Sequence, residues 1–448
     1  MHNPGSFQAG RPRGAVILVS GEAGSDLVAG VSGAPTPLPV QLPEQWREVP
    51  TVTRSIEEQL GCPVFLRTEL PLRTGRADRM FVAEVADRRA PGLSHLTWFP
   101  ARDRLLDIAA LFTPAADAKA PSGVGALLAA DTFETPHTPW TSAGWYDGLG
   151  RELAAYFGEP ADIRPLKLRH DRYLLRVACN GEFYEVHAKC RLAAPVPRRH
   201  LPRAALDDAP LLQAHLPAVL ARWPHLGAEL RSAPRGQRLA DIGTLAAWDS
   251  AVRDWATSQI AYSEQRDSGR PLKSLLGELR EEFDLAVQEW RTVQDYIPGF
   301  GDRAFEWIGQ IVHAAFTVLD DSRLSASIVN GSLSCHTAYV ANSGMQVSEW
   351  DPCYLGHPFM NLASLLHARG RAFTSVSQSH LAHPYVATWM KNSPVGDPGA
   401  EVRGAIIAGC AMQAVGAWRS TSHPAEVRAL FVGAELASWW EIIMRSSA

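Results

Sequence analysis

The chain has 448 residues, of which 46% are hydrophobic and 20% charged, and a formal net charge of −4. That length has room for two to three domains, and the composition is that of a globular protein with a real core. The slight negative charge argues against nucleic acid or an anionic membrane as the main partner.

Six cysteines (Cys62, Cys179, Cys190, Cys335, Cys353 and Cys410) lie without CxxC spacing. They read as reduced thiols of a cytoplasmic protein, not as a disulfide frame or a zinc site. Met1-His-Asn-Pro-Gly-Ser lacks a basic start followed by an apolar run, so no signal peptide is expected. The longest apolar segment, Gly404 to Trp418, is too short to span a bilayer and contains Gln413; it reads as a buried helix. The lysines are only Lys119, Lys167, Lys189, Lys273 and Lys391, the other basic residues being arginine.

In chain order, residues 14–110 read as a small α+β region. Strands are predicted at Ala15–Val19, Val64–Leu70, Met80–Val85 and Leu96–Pro100, with a helix at Thr53–Leu60. The run Arg54-Ser-Ile-Glu-Glu-Gln-Leu-Gly-Cys62 resembles the helix of a Nudix domain, whose glutamates hold Mg²⁺ on a diphosphate. Only Glu58 remains of the three acidic positions, and the upstream Gly and Glu of the box fall on Val40 and Trp46. One carboxylate cannot neutralise a metal–diphosphate complex, so a degenerate, non-hydrolytic domain over residues 1–111 is the expectation.

Residues 112–143, rich in Ala, Pro, Thr, Ser and Gly, read as a linker. Gly144–Phe157 reads as a helix with Trp145, Leu149, Leu153 and Tyr156 on one face. Arg172–Ala178 and Glu182–Lys189 flank Asn180-Gly181, a strong hairpin signal. A basic, Pro-rich loop, Arg191–Arg203, follows; its Arg198-Arg199-His200 and Arg203 could meet an acidic partner or simply be solvated. A helix broken up by Pro210 and Pro217 is predicted over Leu206–Trp223, then a second hairpin pairing Leu226–Ser232 with Gln237–Asp241 around Pro234-Arg-Gly. The remainder reads as helical: Trp248–Tyr262, Leu272–Tyr296, Arg303–Leu319, Leu362–His367, Ser379–Met390, Glu401–Arg419 and Ala425–Met444 with its Trp439-Trp440 pair.

The stretch Ile328–Leu362 organises the chain. It contains Asn330-Gly331-Ser332-Leu333, then Thr337, then Glu349-Trp350, then Gly356-His357-Pro358 and Asn361-Leu362. This spacing resembles the aminoglycoside phosphotransferase and choline kinase-like family, whose signature is His-Gly-Asp-Leu-x-x-x-Asn, a hairpin, then Asp-Trp-x₅-Gly-x-Pro-x-x-Asp-Leu. The resemblance covers roughly residues 144–420. It implies a bilobal protein kinase-like α+β fold, with an N-lobe at 144–243 and a helical C-lobe at 244–448.

The departures fall on the reacting groups. The family's base is Ser332, its Mg²⁺-binding Asn is Thr337, its phosphate-bridging Asp is Glu349, and the His that braces the loop is Asn330. Serine is no general base near neutral pH and brings no negative charge. The ATP-anchoring lysine would be Lys189, although an equally good register puts His187 there, and its acidic partner would be Asp208.

Ser332, Ser334 and His336 could suggest a hydrolase triad, but no Gly-x-Ser-x-Gly elbow surrounds them. Cys335 and Cys353 are expected to be buried and inert. The resulting expectation is a pseudokinase that binds a small molecule or peptide in the cleft between the lobes, or a protein partner, beside a modifying enzyme in a natural-product pathway. The alternative is an active ATP- and Mg²⁺-dependent phosphotransferase using Glu349 in a non-standard metal site. No cofactor is implied on the first reading.

Overall fold

The computed structural model describes residues 13–22, 25–31, 34–35, 38–41, 49–70, 79–85, 89–100, 139–141, 144–168, 172–189, 210–265, 271–294, 297, 301–342, 344–350, 353–368, 373–393, 396–420 and 425–447. The chain forms two compact units: Met1–Ala193 with Val219–Ser232, and Ala194–Ala218 with Ala233–Ala448. Helices and sheets are both abundant and largely segregated, the α+β class that the sequence predicts.

The first unit contains two sheets. The N-terminal one is built from β1 (Arg13–Glu22), β2 (Ser25–Val31), β3 (Ala34–Pro35), β4 (Leu38–Gln41), β5 (Val64–Leu70), β6 (Arg79–Val85) and β7 (Thr97–Pro100). Its main path runs β3-β2-β1-β6-β5; β4 pairs with β1, and β7 with β2. Only β1 and β6 run parallel.

Helix α1 (Val49–Leu60) has Pro50 in its first turn, where a missing N–H costs nothing. It turns Val52, Ile56 and Leu60, at i, i+4 and i+8, onto a core with Val16, Leu18 and Phe81. Glu58 points away from that core and is exposed, and Glu57 accepts a hydrogen bond from Val64 N at 3.2 Å.

The second sheet consists of β8 (Asp162–Leu168), β9 (Arg172–Cys179), β10 (Glu182–Lys189), β11 (Val219–Trp223) and β12 (Ala228–Ser232). It is antiparallel throughout, in the order β11-β12-β10-β9-β8. Asn180 and Gly181 both have positive φ, 53° and 76°, the two-residue turn whose twist matches a hairpin. Helix α2 (Trp145–Phe157) buries Trp145, Leu149 and Leu153 on the face that also takes Tyr173, Leu175, Val177, Val186 and Leu230. Tyr156, predicted on that same face, is 47% exposed; it shares the stripe's direction but lies in the last turn of the helix, next to the C-cap at Gly158.

Two further expectations are corrected. The helix over Leu206–Trp223 shrinks to α3 (Pro210–Gln213), and Val219–Trp223 is strand β11. Proline at 217 removes the donor a continuing helix needs, and Gly227 at φ +61° closes a tight turn that pairs β11 with β12. The hairpin around Pro234-Arg-Gly does not form. Ala228–Ser232 pairs with β10 and β11, while β13 (Gln237–Arg238) pairs with Val340 and Tyr339 in the second unit. Gly236, at φ +90°, presses its Cα face against the Val340 carbonyl, which a side chain there would strike.

The second unit is mainly helical. After β13 come α4 (Leu239–Ile242), α5 (Leu245–Gln265), α6 (Leu272–Thr292) and α7 (Asp302–Asp320). Four short strands follow: β14 (Ser327–Asn330), β15 (Ala338–Ala341), β16 (Gly344–Val347) and β17 (Cys353–Gly356). A 3-10 turn, Pro358–Met360, leads into α8 (Asn361–His367), α9 (Gln378–Asn392), α10 (Pro398–Arg419) and α11 (Ala425–Ser447). One core runs through these helices and includes Trp248, Trp255, Trp290, Trp389, Trp418 and Trp440. Trp440 is fully buried and Trp439 packs against the core from a partly buried position. Helix α10 crosses the 3-10 turn closely at Gly409, where a Cβ would lie 2.6 Å from the Met360 carbonyl oxygen. That crossing fixes the floor beneath the stretch Ile328–Leu362.

Candidate functional site

Strands β14 and β17 pair antiparallel, with Ser327 opposite Gly356 and Asn330 opposite Cys353. All four residues of β14 are buried. The pair therefore presents the 331–337 loop and the Glu349 segment from a rigid base, as a reactive constellation requires.

Asn330 is fully buried. Its backbone N–H donates to Asn361 Oδ1 at 3.0 Å, its Nδ2 donates to the Glu349 carbonyl at 3.1 Å, and its Oδ1 accepts from Ser332 N at 2.8 Å. One side chain thus ties the loop to the start of the second acidic segment. Asn361 continues the network by donating to the Pro358 carbonyl at 3.0 Å. Tyr385 OH lies 2.6 Å from Gln259 Oε1 and 2.7 Å from the Pro358 carbonyl, and Gln259 Nε2 donates to the Ile328 carbonyl. Burial pushes the Tyr385 pKa up, which keeps it a neutral donor. From the other side Gln413 of α10 donates to the Gly331 carbonyl at 2.7 Å.

Ser332 is half-buried. Its carbonyl accepts from Thr337 Oγ1 at 2.6 Å. That same Thr337 oxygen lies 2.9 Å from Ser334 N and 3.1 Å from Ser334 Oγ. Its one proton and both lone pairs are engaged inside the loop, so nothing is left for a metal without breaking the turn. Ser334 is buried, and His336 N donates to its hydroxyl at 3.3 Å. Cys335 donates its thiol to the Ala368 carbonyl at 2.7 Å, and burial pushes its pKa up to about 12. It is a protonated structural thiol; Cys353 is buried as well.

Glu349 is buried at 6% exposure, next to Trp350, whose Nε1 donates to the Val347 carbonyl at 2.8 Å. Trp350 meets Trp255 edge-on at 5.5 Å. Beyond β17, His357 is fully buried. Its Nδ1 accepts from Phe359 N at 3.3 Å, so the ring proton sits on Nε2, which faces Ser322 Oγ at 3.1 Å and Glu401 Oε2 at 3.5 Å. Burial drives the His357 pKa down despite Glu401. Burial would raise the Glu401 pKa, yet its bonds to His357, Ser322 and Gly396 N hold the carboxyl below its ordinary range.

Lys189 and His187 lie in the first unit. Lys189 ends β10, half-buried, with its N–H on the Gly227 carbonyl at 3.0 Å. His187 sits two residues earlier on the same sheet face, buried, with Nε2 3.1 Å from Glu185 Oε2. Asp208 and the Arg191–Arg203 loop lie outside the described residues.

The structure brings Asn330, Ser332, Thr337 and Glu349 into one hydrogen-bonded group. As a magnesium site the group fits poorly: Ser332 carries no charge, Thr337 is saturated, and Glu349 is the one described carboxylate among them. Among the described residues no group of three or more His, Cys, Asp or Glu side chains could hold a metal ion. Gln259, Tyr385 and Gln413 are the members that sequence reasoning did not place in the site. A lone Gln413 in an otherwise apolar helix was the available signal.

No protein-family model matches the chain, and none of the curated proteins is similar to it in sequence. Several solved structures share a likeness of shape. Aminoglycoside phosphotransferase APH(4)-Ia is 12% identical, covering 68% of this chain and 99% of that one at a TM-score of 0.44. The choline kinase LicA from Streptococcus pneumoniae is 9% identical, covering 67% and 98% at a TM-score of 0.45. The streptomycin–ATP–APH(2")-IIa ternary complex is 13% identical, covering 66% and 95% at a TM-score of 0.44.

Proposed function

We propose that this chain is a phosphotransferase-like pseudokinase that works as a ligand- or partner-binding module. The observation that carries the reading is the internal saturation of the 331–337 loop. Where phosphoryl transfer needs a charged base and a metal ligand, Ser332 offers a hydroxyl, and Thr337 is fully hydrogen-bonded within its own turn. Loss of a general base alone commonly costs a factor of about 10²–10⁴. Loss of a metal ligand adds to that by weakening the electrostatic stabilisation that dominates this chemistry.

The loop is nevertheless held in a defined shape by Asn330, Asn361 and Gln413, which suits recognition without turnover. The ligand class this reading favours is a small molecule or peptide, with a place beside a modifying enzyme in a natural-product pathway; that last part rests on the family resemblance alone.

The test is the pair of substitutions Ser332→Asp and Thr337→Asn in the full chain. Wild type should give no ATP turnover above buffer, and the double variant a measurable rate. Wild-type turnover at ordinary kinase rates, roughly 1–100 per second, would overturn the reading. One observation favours the active alternative: Glu349 is a carboxylate buried beside the loop. Calorimetry of wild type with Mg²⁺–ATP decides it, since absence of binding removes that alternative.

A further inference from the structure

The five-stranded sheet of the first unit has one apolar face and one charged face. Strand register places Val186 opposite Leu175 and Leu230, and Ala188 opposite Tyr173 and Ala228, on the core side. The alternate residues therefore share the other side: Glu185 opposite Arg176 and Arg231, His187 opposite Leu174 and Glu229, and Lys189 opposite Arg172. On β11, Arg222 registers with Glu229.

Arg231 is the centre of it. Its side chain is 1% exposed, and among the described residues it bonds to Glu229, whose Oε2 accepts from both Nε at 3.2 Å and Nη2 at 2.7 Å. Nη1 is buried and, among the described residues, has no hydrogen-bond partner. A guanidinium presents five donors in a fixed fork, and a buried donor left unmade costs more than the bond it would have formed. Burial would raise the Glu229 pKa, but Arg231, Lys189 and Arg222 hold its carboxyl below the ordinary range, so it stays an anion bonded to the Nε–Nη2 edge of Arg231.

We infer that Arg231 Nη1 is a binding group for an oxyanion, a phosphate or carboxylate of the ligand, seated on the charged face of this sheet beside Glu229. The inference deepens the proposed function by giving the ligand a chemical class, and it does not depend on whether that ligand is ever phosphorylated. The donor left over by Glu229 is of the kind that matches a tetrahedral or planar oxyanion. A buried arginine that needed nothing further would have acceptors on both edges of its guanidinium; Glu229 covers only the Nε–Nη2 edge.

The test uses the full-length protein without added metal, titrated with inorganic pyrophosphate in one arm and citrate in the other, at fixed ionic strength. Binding should appear as calorimetric heat and a raised melting temperature with at least one of the two, and the arm that responds tells phosphate from carboxylate. The paired variant Glu229→Gln/Arg231→Met keeps the net charge, so its fold is checked by circular dichroism, and it should lose roughly tenfold or more in affinity. No response of wild type to either anion overturns the inference whatever the variant does. An equal response in the paired variant also overturns it, because the anion is then held by surface charge. Neither outcome touches the pseudokinase reading, which is settled by turnover.

Discussion

Asn330 shows how a residue can stand where chemistry is expected and act on shape. It is fully buried, and its amide satisfies a donor on Ser332 and an acceptor on Glu349. Asn330→Ala should leave both without a partner and lower stability by about 2–3 kcal/mol, read from urea unfolding. His357 makes a second residue-scale prediction. Its folded pKa lies below the ordinary 6.5, so the unfolded chain binds the extra proton first and stability falls as pH drops below about 6.5. Glu401, held below its ordinary 4.5, adds a further loss as pH falls below that value toward its folded pKa. Acidification should therefore weaken the fold in two stages, and His357→Gln should flatten the first and shrink the second, because His357 is among the groups that hold Glu401 down. A pH–stability profile with unchanged slope near pH 6 in that variant would contradict the assignment.

Among the elements, α10 decides the position of the site, because it both carries Gln413 and crosses the Pro358–Met360 turn at Gly409. Gly409→Ala would push a methyl to within 2.6 Å of the Met360 oxygen and 2.7 Å of the Ala363 Cβ, forcing the helix off the turn. The expected cost is about 1–3 kcal/mol of overpacking. Gly416, on the same helix, has nothing within 4 Å of an added Cβ, so Gly416→Ala should be neutral or stabilise by up to about 1 kcal/mol. Thermal melts of the two variants check the contrast.

What the sequence made legible follows the same logic. The hairpin at Asn180-Gly181 and the long helices were readable because turn chemistry and a 3.6-residue stripe are local signals. Val219–Trp223 was misread because its strand character comes from pairing with Ala228–Ser232 rather than from its own residues. In the candidate site, spacing singled out 330, 332, 337 and 349, positions that the bonds of Asn330 and Thr337 join. The bonds of Gln259, Tyr385 and Gln413 to backbone carbonyls were not legible, because they join residues 27 to 82 positions apart.

Across the whole molecule, a large continuous core in the second unit carries the polar network that shapes the 331–337 loop, whose turn is kept by the Asn330 amide and the Thr337 hydroxyl. On the proposed reading, that scaffold serves binding and not phosphoryl transfer. The most direct measurement is ADP formation from Mg²⁺–ATP by the full-length wild-type protein, followed beside Glu349→Ala under the same conditions. The account predicts no ADP above the spontaneous rate from either protein. Sustained multiple-turnover ADP formation by wild type, abolished in Glu349→Ala, would contradict it.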